Sequence, residues 1–359
     1  MLKDKFGLLI LMSALAIVVS GCSVSFKSGE GGIDGGLYAS NSRGDTWVQR
    51  SLIPTVNGQP QNFANFNAAA LAADPSDPNA FYYGSVDNGL LYTYTGAREW
   101  FSAGTFPKAT INAIAVDPSA KCIVYAASQN KLYKTIDCSR TWAQVYYDDD
   151  LKTLVNSVAI DPYNPANVYI GTSRGEVIKS SDKGTSWKTS GRLENNVKKV
   201  IINPADSRII LAATLKKGVS RSIDGGANWV SQEEKLKDFS DGFNFKDIIF
   251  APADKNLVFL ATKYGLLKST DNGDNWTKME LITPEEKATI NALAVNPKNS
   301  KEIYYVTNTT FYRSLDGGSN WTTKKLPTTR AGWSLVVNRE NPNILYLGVR
   351  KVEDSQNLQ

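Results

Sequence analysis

Apolar and polar positions along this chain repeat one phrase. An apolar run closes on Asp-Pro or Asn-Pro in most copies, and a run rich in Val, Ile and Tyr follows it. Short runs of this kind between turn residues predict β-strands. The clearest copy reads INAIAVDP from Ile111, then CIVYAAS, KLYKTID and TWAQVY to Tyr146. It predicts four strands joined by three short turns. The opening strand returns as VNSVAIDP from Val155, VKKVIINP from Val197, FKDIIFAP from Phe245 and INALAVNP from Ile290. A looser copy ending LAADP precedes Trp100.

An eight-residue box separates the last two strands of each unit. The full-strength copies are SSDKGTSW ending at Trp187, SIDGGANW at Trp229, STDNGDNW at Trp276 and SLDGGSNW at Trp321. Weaker copies end at Trp47, where Ser42 stands for the Asp, at Trp142, where Ser139 stands for the Gly, and at Trp100, where TYTGAREW has lost both. Successive tryptophans lie 53, 42, 45, 42, 47 and 45 residues apart, the length of a propeller blade. The Asp side chain accepts nearby backbone N–H groups, the Gly tolerates positive φ, and the Trp supplies an apolar plate to bury. The boxes therefore read as structural, without chemistry of their own. The pattern resembles the Asp-box of sialidase-like propellers, over nearly the whole chain after its leader.

The two ends of the repeat complement each other. GGLYAS opens a unit with only a third and fourth strand, Gly36 to about Leu52, and GWSLVVNRENPNILYLGV from Gly332 supplies only a first and second. Six complete blades and two halves give an all-β fold: a single seven-bladed β-propeller over 36–350, its last blade closed by strands from both termini. Residues 351–359 are left as a tail. Closure of this kind removes open sheet edges.

The N-terminus changes the picture. Lys3 and Lys5 precede an apolar run from Phe6 to Val19, too short to span a bilayer comfortably, so 1–21 reads as a secretory signal. The sequence Val19-Ser-Gly-Cys22 resembles a bacterial lipobox. That resemblance implies lipid on Cys22, an exported chain anchored to the cell membrane or envelope, and a tether over 22–35 that spans roughly 20 Å. Cys122 and Cys138 remain, at the same edge of one predicted hairpin in a disulfide-permissive compartment, and a bridge between them is expected; two free buried thiols are the alternative.

Composition mostly excludes. The chain has 42% hydrophobic residues in 359, ample for a buried core, and no length argument demands a second domain. A net charge of +5 suggests neither nucleic acid nor a strongly basic membrane-surface protein. There is no histidine, which removes His-based nucleophilic, metal and acid–base sites. No phosphate-cradling glycine motif and no EF-hand spacing occur, so no cofactor and no metal are expected. Two opposed carboxyl groups would still suffice for glycoside hydrolysis. Asp247 is the one acid placed near a channel mouth, and Asp148, Asp149 and Asp150 read as a solvated loop tip, so no catalytic pair is assigned.

Three groups of box-bearing proteins frame the function. Sialidases carry an Arg-Ile-Pro signature and six blades, whereas this chain has Leu52-Ile53-Pro54 and seven. Xyloglucan-cleaving glycosidases build their cleft between two propellers. The photosystem II assembly factors and their bacterial relatives are single seven-bladed propellers, often lipidated, that hold partly assembled membrane proteins with help from a basic patch. This resemblance rests on blade count, boxes and anchor. It implies a non-catalytic protein-binding scaffold, with carbohydrate binding or cleavage as the alternative, and a monomer.

Topology indicates which loops share a face. First strands start, and second strands end, opposite the box turns. That places Lys198, Lys199 and Lys246 at first-strand starts and Arg174, Lys216, Lys217 and Lys263 in central hairpins of blades three to five. Asn112, Asn156 and Asn291 hold the matching rim positions elsewhere. Trp333, the only Trp outside a box, takes that position in blade seven. This sector is the expected partner-binding surface, for an acidic protein, an anionic glycan or a lipid headgroup. Solubilising charge for the lysines and core packing for Trp333 are the alternatives. Phe63, Phe66, Tyr146, Tyr147, Phe243 and Tyr264 are the aromatics that would grip sugars.

Overall fold

Seven four-stranded antiparallel sheets follow one another in chain order. They are seen in a computed structural model, which describes residues 33–55, 58–287 and 289–352. Six blades use four consecutive strands each. Blade four, for example, is built from Val197–Asn203, Asp206–Thr214, Val219–Ser222 and Val230–Ser231. Blade seven takes its first two strands, Ala331–Val337 and Leu345–Arg350, from one end of the chain and its outer two, Leu37–Ser40 and Val48–Gln49, from the other. The joint is antiparallel and runs from Leu37 opposite Gly348 to Ser40 opposite Leu345. The mixed last blade and the all-β, seven-bladed architecture thus match the expectation.

Burial is organised by the seams between blades. Seven apolar clusters are found among the described residues, one for each seam. Each box Trp packs into the seam with the blade before it. Trp47 meets Phe311 of blade six edge-on, Trp142 meets Phe106, and Trp100 is wholly buried against Phe63 and Tyr83. The indole N–H of Trp187 donates to the Val145 carbonyl of blade two at 2.8 Å, and that of Trp321 donates to Glu280 of blade five at 3.1 Å. The plate is therefore an inter-blade wedge and not only the end of its own turn.

The box turns satisfy themselves through one repeated network. Ser180 Oγ donates to Asp182 and accepts the Gly184 N–H, both at 2.8 Å, while Asp182 accepts the N–H and hydroxyl of Ser186 at 2.8 and 2.6 Å. Ser222/Asp224/Asn228 and Ser314/Asp316/Asn320 repeat it. Two successive residues adopt positive φ in each turn, such as Lys183 at 59° and Gly184 at 92°. In blade one the Gly is not lost but stands one place early, as Gly96 (66°) before Ala97 (63°), and Thr95 accepts the Glu99 N–H in place of the Asp. In blade two neither residue is glycine: Cys138 (60°) and Ser139 (69°) hold the left-handed positions, at a cost of about 1–2 kcal/mol each. Cys138 is joined there to Cys122, with Cα atoms 3.8 Å apart. A bridge closing a loop of this length contributes about 3 kcal/mol, the same size as that strain.

Pattern reading missed two small elements. A two-stranded hairpin, Leu52–Ile53 with Gln61–Asn62, links blade seven to blade one, and a helical turn, Glu233–Leu236, links blade four to blade five. Both lack an alternating face long enough to register. A clasp at the closing seam was also unforeseen. Arg330 is buried and donates to the carbonyls of Asn65 and Phe66 and to Asn67 Oδ1. Asn67 Oδ1 also accepts the Lys351 N–H, and Gly36 accepts the Val349 N–H. Asp34 accepts the Thr329 N–H and hydroxyl and the Tyr38 hydroxyl. Burial raises the Asp34 carboxyl, but hydrogen bonds from Thr328, Tyr38 and Thr329 outweigh it and bring the group down to about 2. Gly35 has φ +131°, and a Cβ there would fall onto Ala64 O and the Arg330 guanidinium.

Two outcomes test this account. A chain ending at Leu326 loses both inner strands of blade seven and Arg330, so its thermal melt should show no cooperative transition; a truncate that still unfolds cooperatively contradicts the closure. The box carboxyls of Asp137, Asp182, Asp224 and Asp316 are held at about 2 by hydrogen bonds from the residue four places on, side chain first at Asp137 and Asp182 and backbone first at Asp224 and Asp316. Depressed carboxyls stabilise the fold fully above their unfolded value near 4 and lose that contribution as pH falls toward 2. The urea midpoint should therefore drop steeply between about pH 4 and 2, and less steeply in an Asp224→Asn/Asp316→Asn variant.

Candidate functional site

The face opposite the boxes carries a ring of seven equivalent positions, one at the start of each first strand: Ala69, Asn112, Asn156, Lys198, Lys246, Asn291 and Trp333. Register shifts fall at five of them, between Ala68/Ala70, Val155/Ser157, Val197/Lys199, Phe245/Asp247 and Gly332/Ser334. The extra residue of a β-bulge re-aims its side chain. At three positions the side chain is spent on the next blade. Asn112, Asn156 and Asn291 donate their amides to the carbonyls of Val155, Val197 and Gly332 at 3.0, 2.9 and 2.9 Å.

A cavity of about 570 Å³ opens at this ring, lined by all seven residues together with Thr110, Lys199, Asp247, Ser334 and Arg350. Asp247 is its only carboxylate. Lys199 reaches Asp247 across the seam between blades four and five at 2.7 Å, and Asp247 also accepts the N–H groups of Ile248 and Leu293, each at 2.8 Å. Lys199 also borders a second cavity of about 600 Å³ toward the box face, which is apolar and rimmed by Pro75, Pro118, Pro162 and Pro204. The Lys199–Asp247 pair thus stands between a polar mouth and an apolar far end.

The structure brings together part of the expected sector. Lys198, Lys199, Lys246 and Trp333 line the mouth, while Arg174, Lys216, Lys217 and Lys263 stand outside its lining on the hairpins. Three of these cations are neutralised by the fold: Arg174 by Asp148 and Glu176, both at 2.8 Å, Lys199 by Asp247, and Lys263 by Asp241. Lys198, Lys216, Lys217 and Lys246 make no ion pair among the described residues. Burial in the channel wall pulls the Lys198 ammonium below the usual lysine range. Trp333 is 36% exposed, and the Arg350 guanidinium lies 4.5 Å from its ring centre. The side chain is therefore half open to the mouth and backed by a cation, not packed in the core.

Other expectations need correction. Asp148 is not part of a solvated tip: it is 3% exposed, accepts the Asp150 N–H and Tyr146 hydroxyl, and pairs with Arg174. Most of the candidate sugar-gripping aromatics are core. Phe63 and Tyr264 are buried, Phe66 and Phe243 pack against blade clusters, and Tyr146 lies edge-on to Trp187. Tyr147 alone stays well exposed, at 58%. Cys22 lies outside the described residues. No group of His, Cys, Asp or Glu suited to holding a metal occurs among them. Arg350 and the bulge stitches were missed; the shared Asn at Asn112, Asn156 and Asn291 was the available signal.

Comparisons with known proteins support the fold and divide on activity. No family model matches the chain. In sequence it is similar to a xyloglucanase of Paenibacillus sp, 28% identical over 140 residues, and to a probable oligoxyloglucan-reducing end-specific xyloglucanase of Neosartorya fischeri, 29% identical over 116. These matches take in 32% and 30% of this chain, and only 14% of the length of each relative. In structure it resembles the GH74 xyloglucanase of Xanthomonas campestris, with TM-score 0.65 and 16% identity over 79% of this chain and 51% of that one. It also resembles YCF48 bound to D1 peptide, with TM-score 0.61 and 15% identity over 84% of this chain and 96% of that one. YCF48 from Cyanidioschyzon merolae gives TM-score 0.60 and 13% identity, over 83% and 97%. At these identities the likeness is one of fold: a seven-bladed propeller whose structural neighbours include both a GH74 xyloglucanase and YCF48.

Replacing Asp247 tests how the mouth is held. Asp247→Ala strands the Lys199 ammonium and the Leu293 N–H, and chemical denaturation should read a loss of about 1–3 kcal/mol. Asp247→Asn keeps the acceptor and should lose less.

Proposed function

We propose that the chain is an exported, lipid-tethered propeller that works as a non-catalytic scaffold, holding a polypeptide partner on its mouth face during assembly of an envelope or membrane complex. One observation carries this reading. The mouth offers two lysines without counter-ions and a half-open Trp333, while its single carboxylate is already committed to Lys199 and two backbone N–H groups. Cleavage of a glycoside needs two carboxyl groups facing each other across the bond, and the mouth has no second one. The extent of the structural matches points the same way: 96% and 97% of the two YCF48 chains, but about half of the GH74 enzyme. Lipid on Cys22 supplies the tether in this reading, and mass spectrometry of the processed chain checks it.

Carbohydrate recognition is the second reading, favoured by the xyloglucanase matches in sequence. One experiment separates the two. Crosslinking and pull-down from membranes should recover a discrete partner with the native chain, and recovery should fall by about an order of magnitude when Lys198, Lys216 and Lys246 are all changed to Gln. Xyloglucan should be neither bound nor hydrolysed. Turnover of xyloglucan that an Asp247→Asn substitution abolishes overturns the scaffold.

A further inference from the structure

The fold treats the cations of the mouth face in two ways. It gives Lys199 the carboxylate of Asp247, Lys263 that of Asp241, and Arg174 those of Asp148 and Glu176. Lys198 and Lys246 receive nothing, although each stands one residue before a member of the Lys199–Asp247 pair. An ammonium pressed into a protein wall without a counter-ion is destabilising. Lys198 is in that position, and its lowered affinity for the proton follows from it.

The bulge ring explains how these two side chains come to be free. In blades two, three and six the residue at this position is an Asn whose amide ties the blade to the next one. In blades four and five a Lys takes that place, and the tie is made one residue deeper. Lys199 bonds Asp247 across one seam, and Asp247 accepts the Leu293 N–H across the next. Moving the tie inward leaves both bulges to the cavity. Trp333, with Arg350 against its ring, holds the equivalent bulge on the opposite side of the ring.

We propose that Lys198 and Lys246 form a two-lysine seat for a carboxylate side chain of the bound polypeptide, with Trp333 as the apolar wall of the same site. This rests on the scaffold reading and names the chemistry its partner presents. A carboxylate is the anionic group that an unmodified polypeptide presents; two ammonium groups, each with three N–H donors, would also serve a phosphate, and competition by inorganic phosphate distinguishes the two. The Asn112, Asn156 and Asn291 amides of the ring already bond between blades.

Trp333 supplies the readout. Its fluorescence, defined as the difference between the native chain and Trp333→Phe, is followed while the full chain is titrated with a hexaglutamate peptide. The expected result is saturable quenching that weakens with added salt, is absent with hexaglutamine, and shifts about tenfold to weaker binding in Lys198→Gln and in Lys246→Gln. Lys198→Arg should keep it, and a Lys216→Gln/Lys217→Gln variant should stay within twofold. Equal binding of hexaglutamine, unchanged affinity in the double Lys198→Gln/Lys246→Gln variant, or tighter competition by inorganic phosphate or oligogalacturonate overturns the seat. Neither lysine makes an ion pair and Lys198 is an uncompensated cation in the wall, so the Gln variants should melt at or above the native temperature and stay folded in each arm. Membrane pull-downs distinguish the two failures. Partner capture that ignores both lysines removes the seat and leaves the scaffold, whereas peptide binding without any captured partner does the reverse.

Discussion

Ring closure is the constraint on which the rest of this structure depends. Four residue pairs between Leu37–Ser40 and Leu345–Arg350 join the two ends of a row of sheets; without them the row would have two bare edges and the seam between blades six and seven would lose Trp47. Closing a loop of some 300 residues is entropically costly, though the cost grows only slowly with length. Arg330 helps meet it by bonding three acceptors in the 65–67 segment, whose Asn67 in turn holds Lys351. A shared cavity, a ring of bulges and a common face exist only because the circle is complete.

Much of this was legible in the residues. The boxes announce themselves, because a turn with two successive left-handed residues and a self-satisfying Ser/Asp network tolerates few alternatives. Strand order followed from the apolar runs, and the mixed blade from the unequal ends. The box at Trp100 was misjudged because the turn needs a pair of left-handed residues and not a glycine at one place; Gly96 serves from the neighbouring position. Asp148 was misread because charge in a loop usually means solvent, and nothing local reveals that Arg174, one blade on, reaches back to it. The site was only half legible. Topology put Lys198, Lys246 and Trp333 on one rim, but which cations are quenched by Asp241, Asp247 or Glu176 is a matter of three-dimensional neighbours.

The mouth shows how a repeating scaffold acquires an individual surface. Blades two, three and six spend an Asn at the rim to hold their neighbours. Blades four and five achieve the same cohesion with Lys199 and Asp247 one step down the channel. Cohesion between blades thus falls to the inner of two adjacent residues on the same strand, and the outer one is unconstrained by the needs of the seam.

The clasp has a practical corollary for handling the molecule. Residues 34–36 and 349–351 are fastened side by side, and Arg350 among them lines the cavity. A bulky label inserted at this clasp would break those bonds and stand against Arg350 at the entrance. Grafting the same label into a box turn, such as the one at Asp316–Gly318, would place it on the far side of the disc and leave the entrance clear.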